Sequence, residues 1–216
     1  MQMIFQGAIF DLDGVIVDTA KYHYLAWREL ALQLGFDFTK EDNERLKGVS
    51  RMRSLEILLE IGGIRMPEER KLELAARKNA RYVAYISALD GSELLPGAKE
   101  YLTQLRDAGV RIALGSASKN APLILDRLNI TGLFDVIVDG NKTSKAKPDP
   151  EVFLIACREL GLEPEQCVVF EDAAASVRAA KAAGMRVIGI GSPGQLEEAD
   201  RVIGGLHEML RGGGAQ

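Results

Sequence analysis

Ala8-Ile9-Phe10-Asp11-Leu12-Asp13-Gly14-Val15-Ile16-Val17-Asp18-Thr19 is the stretch on which the reading of this 216-residue chain turns. Residues 8–10 form a short apolar run of the kind a buried strand carries. The run stops at two aspartates one residue apart, and Gly14 then lets the backbone turn with no side chain in the way. Carboxylates directly after a buried parallel strand stand at its carboxyl end, where open α/β sheets place their ligands. Asp11 and Asp13 there supply one group to attack and one to handle a proton. By itself such a pair reads more readily as an acidic turn, so the rest of the chain has to decide.

From residue 94 onward, helical and apolar segments alternate. Helical patterns occupy 96–109, 120–128, 150–160 and 174–183. Apolar strand patterns occupy 110–114, 136–138, 167–170 and 187–190, followed by a short edge element and a last helix. Continuous apolar strands alternating with helices predict a parallel sheet covered on both faces. Right-handed crossovers then bring every strand's carboxyl end to one edge. Asp11 and Asp13, Ser116, and Glu171 with Asp172 all follow strands directly, so all should converge there. Lys147 precedes a helix that feeds the fourth strand, which brings its loop to the same edge.

Between the first two strands the pattern is helical only. Residues 21–34 carry Tyr22, Leu25, Leu30 and Leu34 on one face, with Trp27 beside them. A short helix follows at 42–46. Ser50 caps the next, which carries Leu55, Leu58 and Leu59 up to Gly62-Gly63. Pro67 opens a long helix with Leu72, Ala75, Ala76, Val83 and Ile86 as its expected apolar stripe. This predicts a helical cap, residues 17–93, inserted into a core made of residues 1–16 and 94–216.

Composition narrows the field. The net charge is −4, with no basic run to suggest nucleic-acid binding. No apolar stretch approaches a membrane span, and residues 1–10 are too short for a signal peptide. Cys157 and Cys167 lie in separate elements outside C-x-x-C spacing, which argues against zinc and against a disulfide. The expectation is a cytoplasmic, monomeric protein with neither a membrane nor a nucleic acid as partner.

Several carboxylates at one edge repel one another unless a cation relieves them. Oxygen-only ligands without His or Cys favour Mg²⁺ over zinc, and Mg²⁺ works with phosphate substrates. Ser116 and the amides around Ala117 can hold phosphate oxygens, and Lys147 adds a positive charge. An aspartate nucleophile, a second aspartate as acid/base, a cation and a lysine make a phosphoryl-transfer site. Each part also has a plainer reading. Ser116 can cap the helix after it, Glu171-Asp172 can be a solvated turn, Lys147 can be surface charge, and His23 can be an ordinary core or surface histidine. The order in which all of them fall at strand ends favours the site.

Asp11-Leu12-Asp13-Gly14, Gly115-Ser116-Ala117-Ser118, Lys147-Pro148-Asp149-Pro150 and Glu171-Asp172 together resemble the four motifs of the haloacid dehalogenase superfamily of Mg²⁺-dependent phosphotransferases. The resemblance covers nearly the whole chain. It implies a Rossmann-like α/β core with a parallel sheet and a small all-helical cap domain inserted after the first strand. It implies Asp11 as nucleophile and Asp13 as general acid/base. Mg²⁺ would take Asp11, the Asp13 main-chain carbonyl, Asp172 and Glu171, while Ser116, Ala117 and Lys147 hold the transferred group.

Within the superfamily the chain is most similar to the sugar phosphomutases. Asp18-Thr19 with His23 and Trp27, the Lys47-Gly48-Val49-Ser50-Arg51 stretch, Arg77-Lys78-Asn79, and Ser116-Ala117-Ser118-Lys119-Asn120 carry that likeness. It implies a hexose phosphate as substrate, turned over through an aspartyl phosphate and a sugar bisphosphate. Arg51 would clamp the distal phosphate, because a guanidinium grips phosphate with paired donors. Lys78 and Asn120 would orient the sugar, with Ser118 and Lys119 in the same role. His23 would couple binding to cap closure. The alternative on the same fold is a sugar-phosphate or phosphoglycolate phosphatase, in which water attacks the acyl phosphate.

Overall fold

A computed structural model describes residues 5–46 and 49–210. Six parallel strands form one sheet in the order β3-β2-β1-β4-β5-β6. They are β1 (Gly7–Phe10), β2 (Arg111–Gly115), β3 (Val136–Val138), β4 (Cys167–Glu171), β5 (Arg186–Ile190) and β6 (Arg201–Ile203). β1 lies in the middle, flanked by β2 and β4. Phe10 is in register with Leu114 on one side and Phe170 on the other. One residue further along, Asp11, Gly115 and Glu171 are therefore side by side at the carboxyl edge.

Side chains alternate across the pleat, so the apolar strands feed two cores. Ala8, Phe10, Leu114 and Phe170 face one side, where Leu102 and Leu105 of α5 (Ala98–Asp107) and Ile124 and Leu125 of α6 (Ala121–Arg127) pack. Ile9, Ala113 and Val169 face the other, against Phe153 and Ala156 of α7 (Glu151–Leu160) and Val177 and Ala180 of α8 (Ala174–Ala182). Phe10 stacks on Phe170 at 4.5 Å with the rings 5° apart, and Tyr101 meets both edge-on.

Between β1 and α5 lie, among the described residues, α1 (Ala20–Gln33), α2 (Lys40–Glu44), α3 (Arg51–Ile61) and α4 (Glu68–Ile86). α1, α3 and α4 share a third apolar cluster with Phe38, built on Trp27, Leu30, Leu55, Leu58 and Leu74. Ser50 caps α3 as its sequence suggests, accepting from the Arg53 amide. Thr39, which the pattern does not single out, caps α2 in a reciprocal box with Asp42. The chain leaves and returns side by side: Val17 bridges Leu94, and the Leu95 amide donates to Ile16 O at 2.9 Å. Glu93 ties the two legs together, receiving Lys21 at 2.5 Å and the Tyr22 hydroxyl at 2.8 Å.

Three sequence expectations need correction. On α4 the buried side chains are Leu74, Ala75, Lys78, Tyr82 and Ile86, not the stripe through Leu72, Ala76 and Val83. Leu72 and Ala76 line a cavity instead of the helical core. On α1, Leu25 is exposed, and Ala26, Trp27, Leu30 and Ala31 are buried. The expected last helix is a single 3₁₀ turn, Leu206–Met209, which follows β6 after the paired glycines Gly204 and Gly205.

Phe170 joins the two aromatic neighbours directly behind the site. Phe170→Ala is expected to cost about 3–5 kcal/mol of stability, read from the urea midpoint. An unchanged midpoint would show that the stack carries no core energy.

Candidate active site

The register of β1 and β4 brings Asp11 beside Glu171, and Asp172 follows directly. Ligand oxygens of these three carboxylates all lie within 4.8 Å of one another. Gly14 closes the same corner. It holds a left-handed φ of +78°, and a Cβ there would collide with the Asp172 carboxylate. Any other residue would push the acid out of the cluster.

Lys147 is the cation that the core itself supplies. Its Nζ donates to Asp11 Oδ1 at 2.8 Å, to Gly115 O at 3.2 Å and to Glu171 Oε1. Burial alone would lower its pKa, but Asp11 and Glu171 more than offset this and raise it, so the ammonium stays charged. One ammonium does not neutralise three carboxylates. Glu171 is accordingly pushed up to about 8, by burial first and then by Asp11. An all-oxygen set with surplus negative charge fits a hard divalent cation, and Asp11, Glu171 and Asp172 are the side chains that would hold it. The Asp13 carboxylate lies outside this set, which leaves it free for proton transfer.

Asp13 sits at the end of a hydrogen-bonded line. Tyr82 donates to Thr19 Oγ1 at 3.0 Å, and the Thr19 hydroxyl donates to Asp13 Oδ1. Asp13 is pushed up to about 7, chiefly by burial, against the Thr19 bond and with help from Asp11, Asp172 and Asp18. A carboxyl poised there can give and take a proton near neutral pH. Thr19 is therefore a partner of Asp13, fully buried behind it, and not part of the cavity wall.

The cavity over this corner measures about 640 Å³. Its floor is Asp11, Asp13, Ser116, Ala117 and Asp172, and its roof comes from α1–α4. Ser118, Lys119 and Asn120 line one side, and Val49, Ser50 and Arg51 another. Lys47 and Gly48 lie outside the described residues. Ser116 Oγ accepts from the Ser118 amide at 3.1 Å, which shapes the turn before α6. Asn120 Nδ2 donates to Asn79 Oδ1 on α4 at 3.0 Å, a direct bond from the sheet side to the helical roof.

Lys78 is the most telling roof residue. It is 3 % exposed, its Nζ lies 4.4 Å from the centre of the Trp27 ring and 4.8 Å from that of Tyr82, and it meets His23 Nδ1 at 2.8 Å. It forms no carboxylate ion pair among the described residues. Burial, then Arg51, lowers its pKa to about 7. His23 stacks on Tyr82 at 3.9 Å, and burial with Lys78 and Arg51 holds its pKa well below the usual value, so the imidazole is neutral. Trp27 and His23 thus form the box around Lys78. Tyr82, four residues on along α4, completes it. Sequence reading passed over Tyr82, although its spacing from Lys78 is the i,i+4 signal that could have found it.

The loop after β3 holds itself. Asp139 binds the Asn141 amide, Glu151 binds the amides of Ser144 and Lys145, and Lys142 pairs with Glu159 at 2.8 Å. Its basic residues Lys142 and Lys145 are thereby paired with Glu159 of α7 and with Asp149, and the loop delivers Lys147 to the carboxylates.

A parallel sheet whose carboxyl edge gathers carboxylates and a buried lysine under a helical roof defines an enzyme of the α/β class built for phosphate chemistry. The chain belongs to the haloacid dehalogenase-like hydrolase family, whose pattern matches residues 5–184. It is 46% identical over 200 residues to β-phosphoglucomutase of Bacillus subtilis, covering 92% of this chain and 88% of that protein. It is 33% identical to a phosphorylated carbohydrates phosphatase of Thermotoga maritima, over 86% of this chain and 85% of that one. The crystal structure of β-phosphoglucomutase from Clostridium difficile superposes with a TM-score of 0.91 at 40% identity, covering 95% and 93% of the two chains. No helix among the described residues is long and apolar enough to cross a membrane.

Lys78 sets a pH signature. Between pH 7 and about 10 the unfolded chain keeps its lysine proton while the folded chain has lost it. The unfolded state then binds more protons, so stability rises with pH by up to about 1.4 kcal/mol per unit from this group. Urea denaturation at pH 7, 8 and 9 should show that rise in the wild type relative to Lys78→Met. Equal slopes in both proteins would mean that the buried lysine keeps its proton.

Proposed function

We propose that this protein is a Mg²⁺-dependent β-phosphoglucomutase, interconverting β-D-glucose 1-phosphate and D-glucose 6-phosphate. One observation carries the reading beyond the family. The cavity has a phosphate-grade cation at the core end, Lys147, and a second pair on the helical roof, Lys78 and Arg51, without carboxylate ion pairs of their own among the described residues. A substrate with one phosphate uses one end. A sugar bisphosphate uses both. The likeness to the Bacillus subtilis mutase supports the same reading.

In this reading Asp11 attacks phosphorus, and the bond to the sugar oxygen breaks as the aspartyl phosphate forms. Asp13, protonated, gives its proton to the departing sugar oxygen. In the second half it takes the proton of the attacking hydroxyl, and the phosphoryl passes from Asp11 to the sugar. Ser116, the Ala117 amide and Lys147 hold the moving group. Arg51 holds the other phosphate, with Lys78, Ser118, Lys119 and Asn120 around the sugar. The all-oxygen donor set of Asp11, the Asp13 main-chain carbonyl, Glu171 and Asp172 suits Mg²⁺, which would neutralise charge on the transferring group. Residues 17–93 act as the cap and residues 1–16 with 94–216 as the core. The enzyme works as a cytoplasmic monomer on a small-molecule substrate.

The test gives the purified protein β-glucose 1-phosphate, Mg²⁺ and a trace of the 1,6-bisphosphate, and follows glucose 6-phosphate and free phosphate together. Glucose 6-phosphate should dominate, and chelation with EDTA should abolish it until Mg²⁺ is returned. Arg51→Ala should lower mutase kcat/KM by about two orders of magnitude, a loss of about 3 kcal/mol in transition-state stabilisation, with much less effect on phosphoenzyme hydrolysis. Free phosphate as the main wild-type product would move the assignment to a phosphatase.

A further inference from the structure

Among the described residues one buried side-chain nitrogen or oxygen has no hydrogen-bond partner, Oδ1 of Asn43. Asn43 is 9% exposed and stands in the five-residue α2. Nothing in the helix calls for its amide. Thr39 and Asp42 cap the amino end. The Asn43 backbone amide already donates to Thr39 O at 3.2 Å, and its carbonyl accepts from Leu46 at 3.0 Å. Asparagine is also a poor choice for a helix interior, where its side chain competes with the backbone. Buried polar groups are almost always paired, and an unpaired one costs stability. A residue that weakens its own helix and leaves an acceptor unmet points to a partner that arrives from outside the fold.

The place of Asn43 says what kind of partner. It belongs to the cavity wall together with Trp27, Arg51 and Ser54. Its side-chain torsion is soft and two-fold, so the amide can present either an acceptor or two donors. A hydroxyl is the group that suits both ends. Lys147 and Arg51, toward opposite ends of the cavity, read phosphates and carry no information about the sugar between them. A site built to hydrogen-bond a hydroxyl rejects analogues that lack it, because its own polar group is then left unpaired. We propose that Asn43 is a sugar-recognition residue that pairs with one ring hydroxyl of the bound hexose phosphate. The assignment rests on the hexose-phosphate reading above.

Asn43→Leu is nearly the same shape and removes the unmet acceptor. It should be at least as stable as wild type in urea. It should lose about 10- to 100-fold in kcat/KM for β-glucose 1-phosphate, mostly in KM. Phosphorylation of the protein by acetyl phosphate, a donor with no sugar, should be unchanged. Asn43→Ala is the second variant, with the same kinetic loss expected. The 2-, 3- and 4-deoxy analogues of β-glucose 1-phosphate then locate the contact: one should be a poorer substrate for wild type and no poorer than the parent for the variants. A less stable Asn43→Leu protein with kinetics like wild type, or deoxy penalties identical in all three proteins, would make Asn43 a purely structural residue and overturn the assignment alone. Wild-type protein that accepts phosphoryl from acetyl phosphate but does not turn over β-glucose 1-phosphate would overturn the hexose reading and this assignment with it.

Discussion

Three carboxylates and one ammonium crowded at the end of two adjacent strands constrain everything else in this molecule. The crowding follows directly from register: Phe10 is level with Phe170, so Asp11 and Glu171 are neighbours, and Asp172 cannot avoid them. Like charges so close are tolerable only with fixed compensation. Lys147 provides it at 2.8 Å from Asp11, and the chain invests a whole loop in placing that lysine. Glu151 fastens two amides of the loop, and Asp139 another. Pairing is not complete, and the remaining negative charge suits the corner to a cation, while burial first, and the neighbouring carboxylates after it, raise the Asp13 pKa to about 7.

The helical roof answers with the opposite imbalance. Lys78 and Arg51 face the cavity, His23 is kept neutral between them, and two aromatic rings desolvate the lysine. In isolation each half is electrostatically unfavourable. Facing each other across a cavity of about 640 Å³, they form a site with cationic side chains toward both ends, which suits the bisphosphate of the proposed reading. The Asn79–Asn120 bond holds the halves together on one side, and Glu93 holds the two hinge legs on another. The line from Tyr82 through Thr19 to Asp13 runs from roof to floor, so the Asp13 carboxyl is tied to the position of the roof.

The sheet and the convergence of Asp11, Lys147, Glu171 and Asp172 at its edge were legible because their signals are local. Apolar runs of three to five residues ending in acids, serine or glycine announce buried parallel strands and ligand-bearing ends. The roof was harder to read, for a physical reason. A helix beside a cavity has two inward directions, one toward its packing partners and one toward the ligand. On α4 apolar periodicity mixes them: Leu72 and Ala76 look like core but face the cavity, while Lys78 looks like surface but is buried. Tyr82 and Asn43 escaped notice because a tyrosine on a helix and an asparagine in a short one are unremarkable until the partners of Tyr82, and the lack of one at Asn43 Oδ1, are known. Lys47 and Gly48, expected in the site, fall outside the described residues.

Relatives that keep the same core include a mutase and a phosphatase. In the proposed reading the core chemistry is common to both, because an aspartyl phosphate would form in the same way whichever nucleophile later removes it. The choice between a sugar hydroxyl and water is made where the second nucleophile is selected, and that is the roof. Water needs no recognition and wins wherever it has access. A sugar hydroxyl wins only if binding energy from groups remote from phosphorus holds it in place while the site is closed. In the reading proposed above, Arg51, Lys78 and Asn43 are groups of that kind: each is buried or half-buried, and neither cation has a carboxylate ion-pair partner among the described residues. A phosphatase would gain nothing from keeping a buried lysine unneutralised and a buried amide unmet. A mutase recovers that cost each time a bisphosphate fills the space between roof and floor.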